Sequence, residues 1–315
     1  FANLMKIPLK PFREGKLFPL ACILLALSGW AETKTASGKD SKASKGSFNL
    51  TLEHDGLTRK YLLYVPSSYD GRSKVPLLFN FHGFGGKVAG YVKSTDMRPL
   101  ADEENFLLVY PQGSLINGFS HWNAATPSKT NKSDADDLGF VKKMISAISA
   151  SHKVDPERIY ACGYSNGAFF SYYLGCYLSD RIAAIGSVSG TMLEESYEKG
   201  KPSRRVPMIN LHGTADSVVP YEGKNGLTPI PQVLSFWVKK NATRAKPELN
   251  NFKSGRTRVR RSVYSDDHGI PWIEHYKIKG GRHVWFEFEL NGSGANRLIW
   301  DFFSKHDLNG PRQKR

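Results

Sequence analysis

The sequence predicts an α/β protein, with a mainly parallel central sheet and helices on both faces. Three observations carry that prediction. Apolar runs of strand length alternate along the chain with segments of helical spacing. The run Val75–Phe81 is apolar almost throughout, as a strand covered on both faces must be. The chain has 315 residues, 40% of them hydrophobic, enough for one large core.

Taken in order, residues 1–31 have a basic stretch (Lys6, Lys10, Arg13, Lys16), an apolar run over 17–27 and small residues up to Ala31. That layout predicts a secretory signal peptide with Met5 as its start. The apolar run is short for a membrane span. Cys22 lies inside it and reads as packing rather than a lipidation site. Residues 32–46 are rich in Lys, Ser, Thr, Ala and Gly, and predict a flexible linker. The catalytic domain is then expected over 47–315, and export to the periplasm or the medium is the expected localisation.

Runs 48–53 and 61–65 read as an opening hairpin around Asp55-Gly56. Strands follow at 75–81, 106–110, 158–164, 182–188 and 206–211, with late strands at 258–264 and 272–278. Helical spacing marks 137–150, 167–178, 231–240 and 296–306. Such alternation implies right-handed crossovers, and sheets of this kind carry their active sites at the carboxyl ends of strands.

The formal net charge of +15 favours acidic surfaces, including anionic polysaccharide or a cell envelope. No nucleic-acid-binding module matches. The basic residues scatter, apart from Arg256, Arg258, Arg260 and Arg261 and a tail of Arg312, Lys314 and Arg315. The competing reading is a solvated surface. Beyond Cys22, Cys162 and Cys176 are expected as buried thiols. No Cys/His spacing suggests zinc, so neither metal nor cofactor is expected.

Four motifs carry chemistry. Gly163-Tyr164-Ser165-Asn166-Gly167 sits between a predicted strand and a predicted helix. A nucleophilic serine needs that context: a sharp turn lifts its hydroxyl clear of the sheet, and the helix start faces the developing oxyanion. His82-Gly83-Phe84-Gly85-Gly86 follows the strand at 75–81, and its backbone can double back to help form an oxyanion hole. Phe84 and Asn166 are the expected donors. His82 itself is expected to pack within its loop. His212-Gly213-Thr214-Ala215-Asp216 puts Asp216 just past a strand end, and Gly280-Gly281-Arg282-His283 frees a loop to bring an imidazole over the serine. The order Ser165, Asp216, His283 is that of the α/β-hydrolase fold. Trp122 and Trp285 are candidates to line an aromatic acyl or alcohol pocket, with core packing as the alternative. Asp134, Asp136 and Asp137 are expected to cap the following helix rather than to bind a cation. Asn49, Asn131, Asn241 and Asn291 open glycosylation triplets.

Beyond these motifs, Tyr110-Pro111-Gln112-Gly113, Trp122-Asn123, residues 136–140 (DDLGF), residues 212–221 (HGTADSVVPY) and Gly281-Arg282-His283-Val284-Trp285 complete an ordered series. The chain thereby resembles the secreted esterases grouped with polyhydroxybutyrate depolymerases and feruloyl esterases, over most of residues 75–305. The resemblance implies the same triad, acting on hydroxyalkanoate oligomers or on hydroxycinnamoyl or acetyl esters of plant polysaccharide. The chain departs from the family pattern in three places, one being the absence of a cysteine often found after the helix at 231–240. Trp285 is followed by Phe286-Glu287 rather than Pro-Gly, and Ala168 stands where a second glycine is common. A serine peptidase on the same scaffold and a non-catalytic secreted binding protein are the competing functions, and the oligomeric state is left open.

Overall fold

The computed structural model describes residues 44–126, 131–290 and 292–312. The expected signal peptide and most of the expected linker lie outside the described residues, as does Asn291. Among the described residues no helix is long and apolar enough to cross a membrane.

The chain opens with a hairpin, β1 (Gly46–His54) and β2 (Leu57–Val65), around Asp55-Gly56. Both turn residues have positive φ (51° and 69°), the two-residue turn whose twist suits a hairpin. β3 (Val75–Phe81) is buried along its whole length, as its apolar run requires. Two short helices that the sequence reading missed, α1 (Val88–Ser94) and α2 (Arg98–Glu104), lead to β4 (Leu107–Pro111). A small hairpin follows, β5 (Ser114–Ile116) and β6 (Phe119–His121). Then come α3 (Asp137–Ser151), β7 (Val154–Tyr164), α4 (Asn166–Tyr177), β8 (Ala184–Val188), α5 (Glu194–Lys199), β9 (Met208–Gly213) and α6 (Ile230–Lys240). β10 (Glu248–Ser254), β11 (Thr257–Ser265), β12 (Pro271–Ile278) and α7 (Ala295–Phe303) follow, and then a short antiparallel pair, β13 (His306–Asp307) and β14 (Gly310–Pro311).

The ten strands of the main sheet run in the order β1-β2-β4-β3-β7-β8-β9-β12-β11-β10. The six in the middle, β4 to β12, pair in parallel, and antiparallel strands extend both edges. One face of the sheet packs against α3, α4 and α6, through Phe140, Met144, Phe170, Leu174, Val233 and Trp237. The other packs against α1, α2 and α7, through Tyr91, Leu100, Ile299 and Phe303. Layers on both faces bury the central strands completely, which is why those strands read as unbroken apolar runs.

The acidic cluster resolves as expected for a cap. Asp136 accepts the Gly139 N–H at 2.8 Å and closes the start of α3. Asp137 has a different task. It is buried and paired with buried Arg59 at 2.6 Å, and it also accepts the Asn123 N–H. Cys162 and Cys176 are buried free thiols, and burial pushes both up, Cys176 to about 12.

Candidate active site

β7 ends at Tyr164 and α4 begins at Asn166, so Ser165 alone makes the turn between them. Its φ of 53° and ψ of −118° lie where a residue with a side chain is strained, and the surroundings hold it there. Its N–H donates to Val188 O on β8, and its carbonyl accepts from Ala168 and Phe169. Close approach of backbone explains the flanking glycines. A Cβ on Gly167 would lie 2.1 Å from the Phe81 carbonyl oxygen, and one on Gly163 would lie 2.5 Å from Gly167. Ala168 fits where a glycine is common because Gly190 faces it: a Cβ on Gly190 would stand 2.3 Å from the Ala168 Cβ.

The loops after β9 and β12 bring the two partners to this serine. His283 Nε2 lies 2.9 Å from Ser165 Oγ, and His283 Nδ1 lies 2.8 Å from Asp216 Oδ2. Asp216 is buried, and its other oxygen accepts the N–H groups of Val218 and Val219. Burial alone would raise the Asp216 carboxyl. The hydrogen bonds from His283 and Val219, with the charge of His283, outweigh burial and hold it below the usual carboxylate range. With Asp216 ionised, Nδ1 of His283 is the protonated nitrogen, which leaves Nε2 free to accept from the serine hydroxyl. His212 braces the acid loop from below, with Nε2 2.8 Å from the Val219 carbonyl to which it donates.

Two hydroxyls that the sequence reading did not single out hold the histidine loop. Tyr164 OH donates to the His283 carbonyl at 2.9 Å, and Ser189 Oγ donates to the Val284 carbonyl at 2.8 Å. Both come from the carboxyl ends of the strands flanking the serine turn. Tyr164 was in view as the variable residue of the serine motif. Ser189 is marked only by its positive φ of 49°, which no sequence pattern announces.

The loop at 82–86 is seated against the serine, since a Cβ on Gly83 would lie 3.3 Å from Ser165 Cβ. The backbone N–H groups of Phe84 and Asn166 donate to no acceptor among the described residues. His82 packs in its loop as expected. Its Nε2 accepts the Gly113 N–H at 3.0 Å and its Nδ1 lies 2.7 Å from the Gly83 carbonyl, while burial lowers its pKa to about 4.

Trp122 corrects an expectation. It is 0% exposed and lines no open pocket. Its ring stacks on Phe170 and meets Phe81 edge-on. Its indole donates to the His82 carbonyl at 3.0 Å, and its backbone N–H and C=O pair with the Asn166 side chain at 2.8 and 3.0 Å. Trp122 therefore joins the two loops that carry Phe84 and Asn166. A buried aromatic with a satisfied N–H gives no sequence signal that separates this from a pocket wall.

Trp285 is half-buried and faces open space. With Tyr91, Tyr164 and His283 it lines a cleft of about 540 Å³ that also touches Gly83 and Phe84. Its indole donates to Asn296 Oδ1 at 2.9 Å, which fixes the ring. The Phe84 ring, 49% exposed, stacks on Phe119 at 5.8 Å. Phe119 sits on the β5–β6 hairpin, which was not expected although Asn117-Gly118 at its tip is a strong two-residue turn signal.

Residues 59–203 match the family model described as Esterase PHB depolymerase. The chain is 30% identical over 263 residues to feruloyl esterase B of Piromyces equi, covering 79% of this chain and 46% of that protein. It is 25% identical over 286 residues to a bifunctional acetylxylan esterase/xylanase of Neocallimastix patriciarum, covering 90% and 38%. The chain thus spans less than half the length of these two relatives. Among solved structures, an acetyl xylan esterase from Aspergillus awamori superposes with a TM-score of 0.60 at 14% identity, over 78% of this chain and 94% of that one. That likeness shows the α/β-hydrolase fold.

Proposed function

We propose, from the Esterase PHB depolymerase domain that residues 59–203 carry, that this chain hydrolyses carboxylic esters through an acyl-enzyme. The observation that carries the reading is the unbroken hydrogen-bonded series from Ser165 Oγ through His283 to Asp216, at 2.9 and 2.8 Å. In this reading Ser165 Oγ attacks the ester carbonyl while His283 Nε2 takes its proton. Asp216 keeps Nδ1 protonated and stabilises the imidazolium that forms. The backbone N–H groups of Phe84 and Asn166 receive the carbonyl oxygen as it becomes an oxyanion. His283 then protonates the leaving alcohol, and the same imidazole activates water to release the acid.

The cleft at Trp285 and Tyr91 suits a flat or short acyl group, so the substrates are acetyl or hydroxycinnamoyl esters of polysaccharide, or hydroxyalkanoate oligomers. The signal-like segment at 1–31 supports export. The test is turnover of p-nitrophenyl butyrate, methyl ferulate and a peptide anilide by the purified protein. Ester cleavage with a burst of alcohol release is the expected result. Cleavage of the anilide alone makes the chain a peptidase, and cleavage of neither makes it a binding protein.

A further inference from the structure

The antiparallel edge of the sheet carries an unusual face. On β10, β11 and β12 alternate residues point the same way. One set, Phe252, Val259, Tyr276 and Ile278, packs into the core. The opposite set holds Lys253, Arg258, Arg260 and Lys277, and Lys279 continues it just past β12. α6 covers this outer face near Ser262 and Tyr264, and its edge reaches Arg260 and Lys277. Beyond that it is open, as a groove of about 690 Å³ that all five cations line.

The register makes these charges oppose one another. Lys253 stands directly across from Arg258, and Arg260 directly across from Lys277. Like charges in facing positions destabilise a sheet. None of the five enters an ion pair among the described residues. The neighbouring Arg261, on the inner face, is paired with Glu274 at 2.8 Å. Neutral partners hold two of the five in place without neutralising them. Arg260 donates to Asn251 Oδ1 at 3.1 Å, and the Lys277 ammonium sits 4.1 Å from the Tyr221 ring centre. An array of cations that face one another and enter no ion pair among the described residues is complementary to a polyanion.

The groove also has a direction. It reaches Thr214, which precedes Asp216 by two residues, and Lys279 precedes His283 by four. The Gly280 N–H donates to Thr214 Oγ1, so the two loops that carry Asp216 and His283 are joined at the groove's end. We propose that the outer face of β10–β12 binds an acidic polysaccharide, a chain bearing uronate carboxylates, and leads it to the rim where Ser165 stands. The placement of the polymer's esters rests on the hydrolase reading above, and the binding itself does not. A nucleic acid is the weaker fit: Phe252, the aromatic residue that borders this groove, packs against the core and offers no free ring for bases to stack on, and a nucleic acid carries no carboxylic ester.

The test measures binding apart from turnover. A triple variant, Lys253→Gln, Arg258→Gln and Lys279→Gln, is compared with a control of equal charge change, Lys74→Gln, Lys142→Gln and Lys201→Gln. The probes are polygalacturonate, neutral dextran and a single-stranded oligonucleotide. The proposal expects salt-sensitive binding of polygalacturonate, weakened about tenfold or more in the face variant and less than about twofold in the control, with a flatter salt dependence in the face variant. Dextran should not bind. Turnover of p-nitrophenyl butyrate should be unchanged in both variants, and the face variant should melt no lower than the parent because facing like charges have been removed. Equal losses in both variants would overturn the proposal, as would tighter binding of the oligonucleotide through the same residues. Absence of any ester turnover, with polygalacturonate still held by this face, would sink the hydrolase reading and leave the binding site standing.

Discussion

Removing the two hydroxyls that hold the histidine loop should slow turnover more than it weakens substrate binding. Tyr164→Phe deletes the donor to the His283 carbonyl at 2.9 Å, and Ser189→Ala deletes the donor to the Val284 carbonyl at 2.8 Å. A hydrogen bond of this type contributes about 1 kcal/mol net, so each single variant should lose about fivefold in kcat/KM. The two carbonyls are neighbours on one short backbone segment, and each bond limits the motion that loss of the other permits. The double variant should therefore lose about 3 kcal/mol of transition-state stabilisation, or roughly 150-fold, more than the product of the singles at roughly 30-fold. Steady-state kinetics on p-nitrophenyl butyrate give the numbers, and thermal melting shows how much of the loss is simply stability. The loss should fall in kcat with KM nearly constant, because the bonds position His283 and Tyr164→Phe keeps the ring that lines the cleft. A double variant within about twofold of the parent in kcat, at a temperature where it stays folded, would refute the positioning argument.

Further outcomes follow from the same geometry. Asp216→Asn should lower kcat by about 10³–10⁴ while the fold melts nearly as before, since the carboxylate that fixes the His283 tautomer is lost. Trp122→Leu should lower kcat, because it removes the indole that ties residue 122 to the His82 carbonyl at the start of the Phe84 loop while the backbone pairing with Asn166 stays, whereas Trp285→Ala should mainly raise KM for aromatic esters; the reverse pattern would return Trp122 to the pocket. Acid should destabilise the protein before its carboxylates titrate. Burial lowers His82 to about 4 and His275 to about 3, so the folded chain keeps them neutral while the unfolded chain protonates them near 6.5. Their stabilisation is complete above pH 6.5 and is lost as the pH falls toward their folded values, a loss of about 3 kcal/mol for the two together between pH 6.5 and 5. Urea midpoints that stay flat over that range would contradict this. Arg59→Leu should cost about 3–5 kcal/mol in chemical denaturation, because it strands the buried Asp137 carboxylate, and a neutral effect would show that Asp137 simply takes up a proton.

The sheet was legible because its middle strands are covered on both faces and must be apolar throughout. The run at 75–81 coincides with β3, and Asp55-Gly56 gave the first hairpin. β10 was missed for the opposite reason. Its sequence ELNNFKS lies at the sheet edge, exposed on most positions, so neither alternation nor an apolar run marks it. The helices α1, α2 and α5 are six or seven residues long, too short for a periodic face. Ser165, Asp216 and His283 were legible because each follows a strand and glycines mark all three turns. Their supports were not. Tyr164, Ser189 and Trp122 act through contacts between residues far apart in the chain, and only the folded backbone brings a hydroxyl or an indole to the right carbonyl. The meaning of the arginine run was hidden in the same way, since alternation sends Arg261 inward to Glu274 and leaves Arg258 and Arg260 outside.

The most direct measurement is covalent labelling with a fluorophosphonate ester, followed by mass spectrometry of the digested chain. One phosphonyl group per chain on the peptide that contains Ser165, with no labelling of a folded Ser165→Ala variant, is the predicted result. A label on another residue, or undiminished ester turnover in that variant, would show that the hydroxyl at this turn is not the one that attacks.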